Sequence, residues 1–152
     1  MNKVDTQDIA QKTLDIIPLV MIVMASEMRN AGHQAVSPSH VRLLGMLSER
    51  PYTLSELAEM QQVSAPTMSN TITALEERGW VTRTRSDVDR RVVTVHIAEA
   101  GSQVIGDINN HTRARIAEFI SPLSDDDLNL LLAGLTILRD AFTEALKTRH
   151  QS

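Results

Sequence analysis

The strongest constraint on the fold is a change of hydrophobic period at Trp80. Before it, Met68, Ile72 and Leu75 recur at spacings of 4 and 3, which places them on one face of an α-helix. After it, "WVTRTR" and "VVTVHI" are runs rich in β-branched residues, joined through "SDVD", the pattern of a two-stranded hairpin. Gly79 stands between the two periods, where a left-handed residue ends a helix. A helix that stops at a glycine and hands straight over to a hairpin leaves few architectures open.

The rest of the chain reads as helix. Residues 9–29 are strongly apolar, with Pro18 either kinking one long helix or marking a restart. Ser37-Pro38, a cap followed by a first-turn proline, opens a short helix through "VRLLGML", and "ERPYT" breaks it. Ser55 is the expected cap of "ELAEMQQ", whose Glu56 and Glu59 suit the positive end of the helix dipole. Ser64 caps the helix that carries Met68, with Pro66 in its first turn. Beyond the hairpin, Ile105, Ile108, Thr112, Ile116 and Phe119 form a helical stripe that ends at Ser121-Pro122. A Ser124–Asp127 capping pattern opens a last helix, and Lys147 and Arg149 suit its C-terminal end. Its stripe of Leu128, Leu131, Leu132, Leu135, Leu138, Phe142 and Leu146 is wider than one small core needs, which predicts a partner chain. The expected architecture is mainly α: six helices with a two-stranded β-wing in one compact domain per chain. Within it, 1–36 is an N-terminal dimerisation helix, 37–98 the winged lobe and 99–152 the C-terminal dimerisation helices.

Composition removes several classes of function. With no cysteine, disulfides, thiolate metal sites and thiol redox switches are impossible. No run of about eighteen apolar residues occurs, so no membrane span is expected. Lys3 is the only basic residue ahead of Asp5 and no cleavage pattern follows, so no signal peptide is expected. A cytoplasmic protein is the resulting expectation. Enzymatic chemistry has no support. There is no Gly-rich phosphate loop, the Asp125–Asp127 run is explained by capping, and His96 alternates with Val95 and Ile97, facing solvent. No cofactor and no metal is implied. A metal sensor would draw on Glu27, His33, His40 and His111, but the residue four beyond His111 is Arg115, which breaks a helical ligand pair.

Charge says what the hairpin is for. The formal net charge is −4, but Lys/Arg and Asp/Glu number 5 and 7 in residues 1–65, 5 and 4 in 66–98, and 5 and 8 in 99–152. Between Arg78 and Arg91, five arginines face only Asp87 and Asp89. A local basic hairpin on an acidic body aims the molecule at a polyanion. Two short helices joined by a tight turn and followed by such a hairpin have the order of a winged helix-turn-helix. The second helix of that motif enters the major groove of double-stranded DNA. Opposite Met68, Ile72 and Leu75 lie Ser64, Thr67, Ser69, Asn70 and Thr73, with no carboxylate before Glu76. Asn70 has the donor–acceptor pair that reads an adenine edge. Arg83 is placed to meet backbone phosphate, and Arg85 belongs to the same basic surface. Arg90 and Arg91 reach toward the adjacent minor groove, with Asp89 holding the Arg91 guanidinium in one pose.

The run from Leu54 to Gly101, "LSELAEMQQVSAPTMSNTITALEERGWVTRTRSDVDRRVVTVHIAEAG", resembles the core of the MarR family of bacterial winged-helix regulators. The matching pieces are "LA" before the turn, "VS" with the following threonine and serine at the recognition helix, "LEERGWV.R" into the hairpin, "D.DRRVV" in the wing and "EAG" at the next helix. The resemblance implies a homodimer built from the terminal helices, binding a pseudo-palindromic operator, usually as a repressor released by a small anionic or aromatic ligand. The family commonly has Leu-Thr before "EAG", the threonine capping the long helix; here Ile97-Ala98 stand there. That forfeits a cap of about 1 kcal/mol and bears on the stiffness of the wing–helix junction. Met21, Met24, Met28, Met46, His40 and His111 are the candidate lining of a ligand pocket, with ordinary core or dimer packing as the alternative for the methionines. Two other readings stay open: a winged-helix module that docks an acidic protein partner, and a DNA-binding regulator with no small-molecule effector.

Overall fold

The computed structural model describes residues 5–30, 32 and 36–149; His33 lies outside them, as do the side chains of Lys147 and Arg149. The described elements are α1 (Thr6–Asn30), α2 (Pro38–Glu49), β1 (Tyr52–Thr53), α3 (Leu54–Met60), α4 (Ala65–Glu77), β2 (Val81–Arg85), β3 (Val93–Ile97), α5 (Glu99–Ile120) and α6 (Asp125–Arg149). They form two compact units, one running to Arg113 and the other from Ala114.

Local chemistry explains most boundaries. Ser37 and Ser64 are the caps of α2 and α4, each followed by a proline within the first two positions. The Ser124 hydroxyl accepts the Asp127 N–H at 3.2 Å and donates to its carboxylate at 2.7 Å, opening α6. Pro18 lies inside α1, which continues through it, so the proline marks no restart. The cap of α3 is Thr53, not Ser55: Thr53 Oγ1 accepts the Glu56 N–H at 3.2 Å, and Glu56 returns a bond from the Thr53 N–H at 2.6 Å. That reciprocal box satisfies two helix-end donors, which Ser55 one position inside cannot do. The bond from the Thr53 N–H outweighs the opposing effect of burial and, with the Thr53 hydroxyl and Arg50, holds the Glu56 carboxyl below its usual range.

The wing is part of a three-stranded antiparallel sheet in the order β1-β3-β2, one strand more than the hairpin alone predicts. Arg50 ends α2 in extended geometry, as a residue before proline must, and Tyr52 and Thr53 then pair with Val95 and Thr94. Leu44, Leu57, Ile72, Leu75, Val95 and Ile108 are wholly buried and join α2, α3, α4, β3 and α5 in one core. The wing–helix junction, deprived of a threonine cap, is held by packing. The Ala98 N–H donates to the Trp80 carbonyl at 2.9 Å, and a Cβ on Gly101 would collide with that same oxygen.

The terminal helices look different. On α1, Leu14, Ile16, Ile17, Leu19 and Ile22 are exposed, and only Met28 is buried. Although no unbroken apolar run of membrane-spanning length occurs in the sequence, α1 as a whole is long and apolar enough to cross a membrane by length and composition. A buried or interface helix meets the same criterion. On α6, Leu128 and Leu138 are half-buried, while Leu131, Leu132, Leu135, Phe142 and Leu146 are exposed.

Candidate nucleic-acid interface

Two helix ends of the same type set the interface. At the end of α3, the Gln62 N–H donates to the Glu59 carbonyl (3.0 Å) and the Val63 N–H to Ala58 (3.0 Å). At the end of α4, the Gly79 N–H donates to Glu76 (2.8 Å) and the Trp80 N–H to Leu75 (3.0 Å). Both are Schellman closures, which need a left-handed residue at the pivot. Gly79 supplies it at φ 71 without strain, whereas Gln62 adopts φ 54 with a side chain. The first closure turns α3 into α4; the second turns α4 into the wing.

The face of α4 opposite its buried Met68, Ile72 and Leu75 carries the expected hydroxyl and amide groups. Ser64, Thr67, Asn70 and Thr73 are exposed and Ser69 is half-buried. The Ser64 and Thr67 hydroxyls are 2.8 Å apart and the Ser64 oxygen accepts the Thr67 N–H, so both serve the cap in the unbound chain. The Asn70 side chain makes no hydrogen bond among the described residues, and the residue is exposed.

The wing loop is ordered by its own side chains. Ser86 Oγ accepts the N–H groups of Val88 (3.2 Å) and Asp89 (3.3 Å). Asp89 Oδ1 accepts the Arg91 N–H (3.0 Å) and Nε (3.1 Å), while Oδ2 accepts Nη2 (3.1 Å). The expected Asp89–Arg91 brace is present, and the Arg91 bonds hold the carboxyl of Asp89 below its usual range. The Arg91 side chain nevertheless remains 91% exposed, a cation fixed in pose yet turned outward. The Arg85 and Arg90 side chains are exposed and make no hydrogen bond or ion pair among the described residues. Val88 projects from the tip, 98% exposed. Ser86 was missed from sequence; the serine three residues before Asp89 is the signal, since such hydroxyls close turns onto following N–H groups.

Arg83 departs from its expected place toward phosphate. Its Nη2 donates at 2.8 Å to both the Ser69 carbonyl and the Thr73 hydroxyl, and its Nε lies 3.6 Å from Glu76 Oε2. Position along β2 explains this. Val81, Arg83 and Arg85 share one face of the strand, Val81 is buried, and Arg83 is therefore directed at α4.

A cavity of about 430 Å³ lies beside α1 and the start of α2, lined by Met21, Met24, Ala25, Met28, Pro38, Ser39, Val41 and Arg42. Three of the six residues expected there are present. Met46 instead packs on the core and its sulfur accepts from Gln61 Nε2 at 3.4 Å. His111 is exposed on α5. His40 belongs to the α2 cap, where its Nδ1 accepts the Ser37 N–H at 3.4 Å, and its ring meets Trp80 edge-on at 6.4 Å. Burial, and then the Arg78 charge, push the His40 pKa below its ordinary value, which keeps the imidazole an acceptor. Arg42, unforeseen from sequence, is the cavity's one charged residue, and its guanidinium bonds the Gln61 side chain. No group of three metal-ligating His, Asp or Glu side chains occurs among the described residues. His96 Nε2 lies 3.0 Å from the Thr84 hydroxyl across the strand pair.

Comparison with known proteins agrees with this geometry. Residues 36–92 match the model of the MarR family. The HTH-type transcriptional regulator YpoP of Bacillus subtilis is 39% identical over 75 residues, 49% of this chain and 53% of that protein. The chain thus matches about half the length of this relative. Among solved structures, the transcriptional regulator Tm0710 of Thermotoga maritima superposes with a TM-score of 0.76 at 22% identity, covering 93% of this chain and 99% of that one. FabT of Streptococcus pneumoniae, solved in complex with DNA, gives 0.69 at 23% identity over 92% and 99%. Over residues 36–92 the chain is thus similar in sequence to the MarR family, and its elements superpose on those of solved structures of the same fold.

Proposed function

We propose that this chain is a transcriptional regulator that binds double-stranded DNA as a homodimer, with α4 in the major groove and the β2–β3 loop against the neighbouring minor groove. The observation that carries the reading is a carboxylate-free exposed face, Ser64, Thr67 and Asn70, beside a wing loop whose arginine is already braced. A preordered loop loses little conformational freedom on binding, so its charge is used efficiently. A protein of the same fold, FabT, has been seen with DNA. Residues 37–98 make the DNA contact in this scheme and the segments 1–36 and 99–152 pair the two copies. The exposed apolar faces of α1 and α6 supply that pairing. Two copies set the recognition helices about 34 Å apart, which calls for a pseudo-palindromic operator.

The protein acts as a ligand-relieved repressor in this scheme. Thioether, valine and proline walls with one arginine suit a small effector with an apolar body and an anionic head. An occupant there shifts the preferred spacing of the two recognition helices away from that of the operator.

Binding measured against salt tests the reading. Wild-type affinity should fall steeply with salt, Arg91→Ala should weaken it by about 1–3 kcal/mol and lower the slope by about one, and Asn70→Ala should change which duplexes are preferred. Salt-independent binding with no preference among duplexes would reassign the wing to an acidic protein partner.

A further inference from the structure

We infer that Arg83 is the residue that locks the wing to the recognition helix, positioning the wing for DNA rather than touching phosphate itself; the inference rests on the DNA-binding reading above. Its three neighbours on α4, Ser69, Thr73 and Glu76, are spaced 4 and 3 and so form one stripe two turns long. The Thr73 hydroxyl donates its own proton to the Ser69 carbonyl at 2.9 Å, which leaves its lone pairs for Arg83. Nη2 therefore closes a small ring with both groups, and Glu76 opposes the guanidinium charge from the next turn. The Arg83 Nε is buried and has no hydrogen-bond partner, so this side chain is held by α4 rather than offered outward. The wing's outward cations are Arg85, Arg90 and Arg91.

A clamp is needed at this place. The strand pair leaves α4 through Gly79, whose φ of 71 makes it a natural pivot. At about 3.3 Å per residue the tip lies roughly 20 Å beyond Val81. A rocking of about ten degrees at the pivot would carry it some 3–4 Å, taken from that same strand rise, enough to lift an arginine out of a groove. Nη2 meets the carbonyl and the hydroxyl while Nε of the same rigid plane faces Glu76; a lysine ammonium at the end of a flexible stem would not hold that angle.

The test is a double-mutant cycle on a duplex bound by the wild type, using Arg83→Ala, Arg83→Lys, Arg91→Ala and the two double variants, with affinity read at several salt concentrations, minor-groove contacts read by hydroxyl-radical footprinting and major-groove contacts by protection of guanine N7 from methylation. A clamp predicts that Arg83→Ala and Arg83→Lys each weaken binding roughly tenfold, as loss of a wing contact does. It predicts that neither adds to Arg91→Ala, and that the minor-groove protection vanishes while the major-groove protection stays. Arg83→Lys keeps the charge, so it separates the two roles even if the alanine variant folds poorly. Undiminished binding by Arg83→Lys, or losses that multiply with those of Arg91→Ala together with a lower salt slope in both backgrounds, would make Arg83 a phosphate contact and overturn the inference. If the wild type binds no duplex, the DNA reading itself fails. Amide exchange at Thr84, Arg85 and Val93 then decides the clamp alone: faster exchange in Arg83→Lys supports it, unchanged exchange refutes it.

Discussion

Leu44, Leu57, Ile72 and Leu75 in the winged lobe have lost all contact with solvent, whereas Leu14, Leu19 and Ile22 on α1 and Leu130, Leu132 and Ile137 on α6 remain more than half exposed. The residue types are the same; what differs is whether one chain supplies both sides of the contact. In the lobe, residues of α2, α3, α4, β3 and α5 close over one core, and polar groups are matched internally as well, Thr53 with Glu56 and Arg83 with Ser69 and Thr73. The terminal helices present apolar stripes that one chain leaves uncovered. A lobe complete in itself can keep its geometry whatever covers the terminal helices.

The largest expected effect separates these two regions. Ile72→Ala should cost about 2–5 kcal/mol of unfolding free energy at every protein concentration. Leu132→Ala, on an exposed face, should weaken stability only through association, so its cost in urea should shrink as the protein is diluted. Equal, concentration-independent costs would show α6 to be part of a monomer core. Next in size is the wing–helix junction. Gly101→Ala drives a methyl into the Trp80 carbonyl and should cost about 1–3 kcal/mol, read as a lower melting temperature. An unchanged melting temperature would mean that the α5 start yields freely and that the missing threonine cap leaves a loose joint.

Smaller effects sharpen the comparison inside the lobe. Gln62 occupies a left-handed position that Gly79 fills in the following closure, so Gln62→Gly should stabilise the protein by about 1 kcal/mol in equilibrium unfolding. A loss instead would assign the Gln62 side chain a contact worth more than its backbone strain. The smallest effect is a pH slope. Burial and Arg78 lower the folded-state pKa of His40 below 6.5, so the native state binds fewer protons than the unfolded chain between those two values. Stability from this group is complete above the unfolded pKa and is lost as pH falls through 6.5 toward the folded value. His40→Gln, which can keep the cap, should flatten that part of the stability profile. A slope that survives the substitution would place the titration elsewhere.

Much of the fold was legible because its signals are local. The period change at Trp80, the glycine stop at Gly79 and the caps Ser37, Ser64 and Ser124 each lie within a few residues of the structure they determine. The features that escaped are those without a local signature. A strand of two residues, Tyr52–Thr53, has no period to read, and with it went the choice of Thr53 over Ser55 as the cap. Arg83 looked like a surface cation because its partners lie 10 and 14 residues away, brought together only when β2 folds back on α4. The methionine stripe of α1 was visible, but that Arg42 rather than His40 completes the cavity depends on which side of α2 faces α1.

The most direct measurement of the central claim is selection from a random duplex pool with the purified protein at two salt concentrations. The account predicts a pseudo-palindrome with half-sites about one helical turn apart, enriched at both concentrations and bound less tightly at the higher one. Recovery of no motif, with weak binding that disappears at moderate salt, would contradict it and mark the basic wing as a surface for an acidic protein.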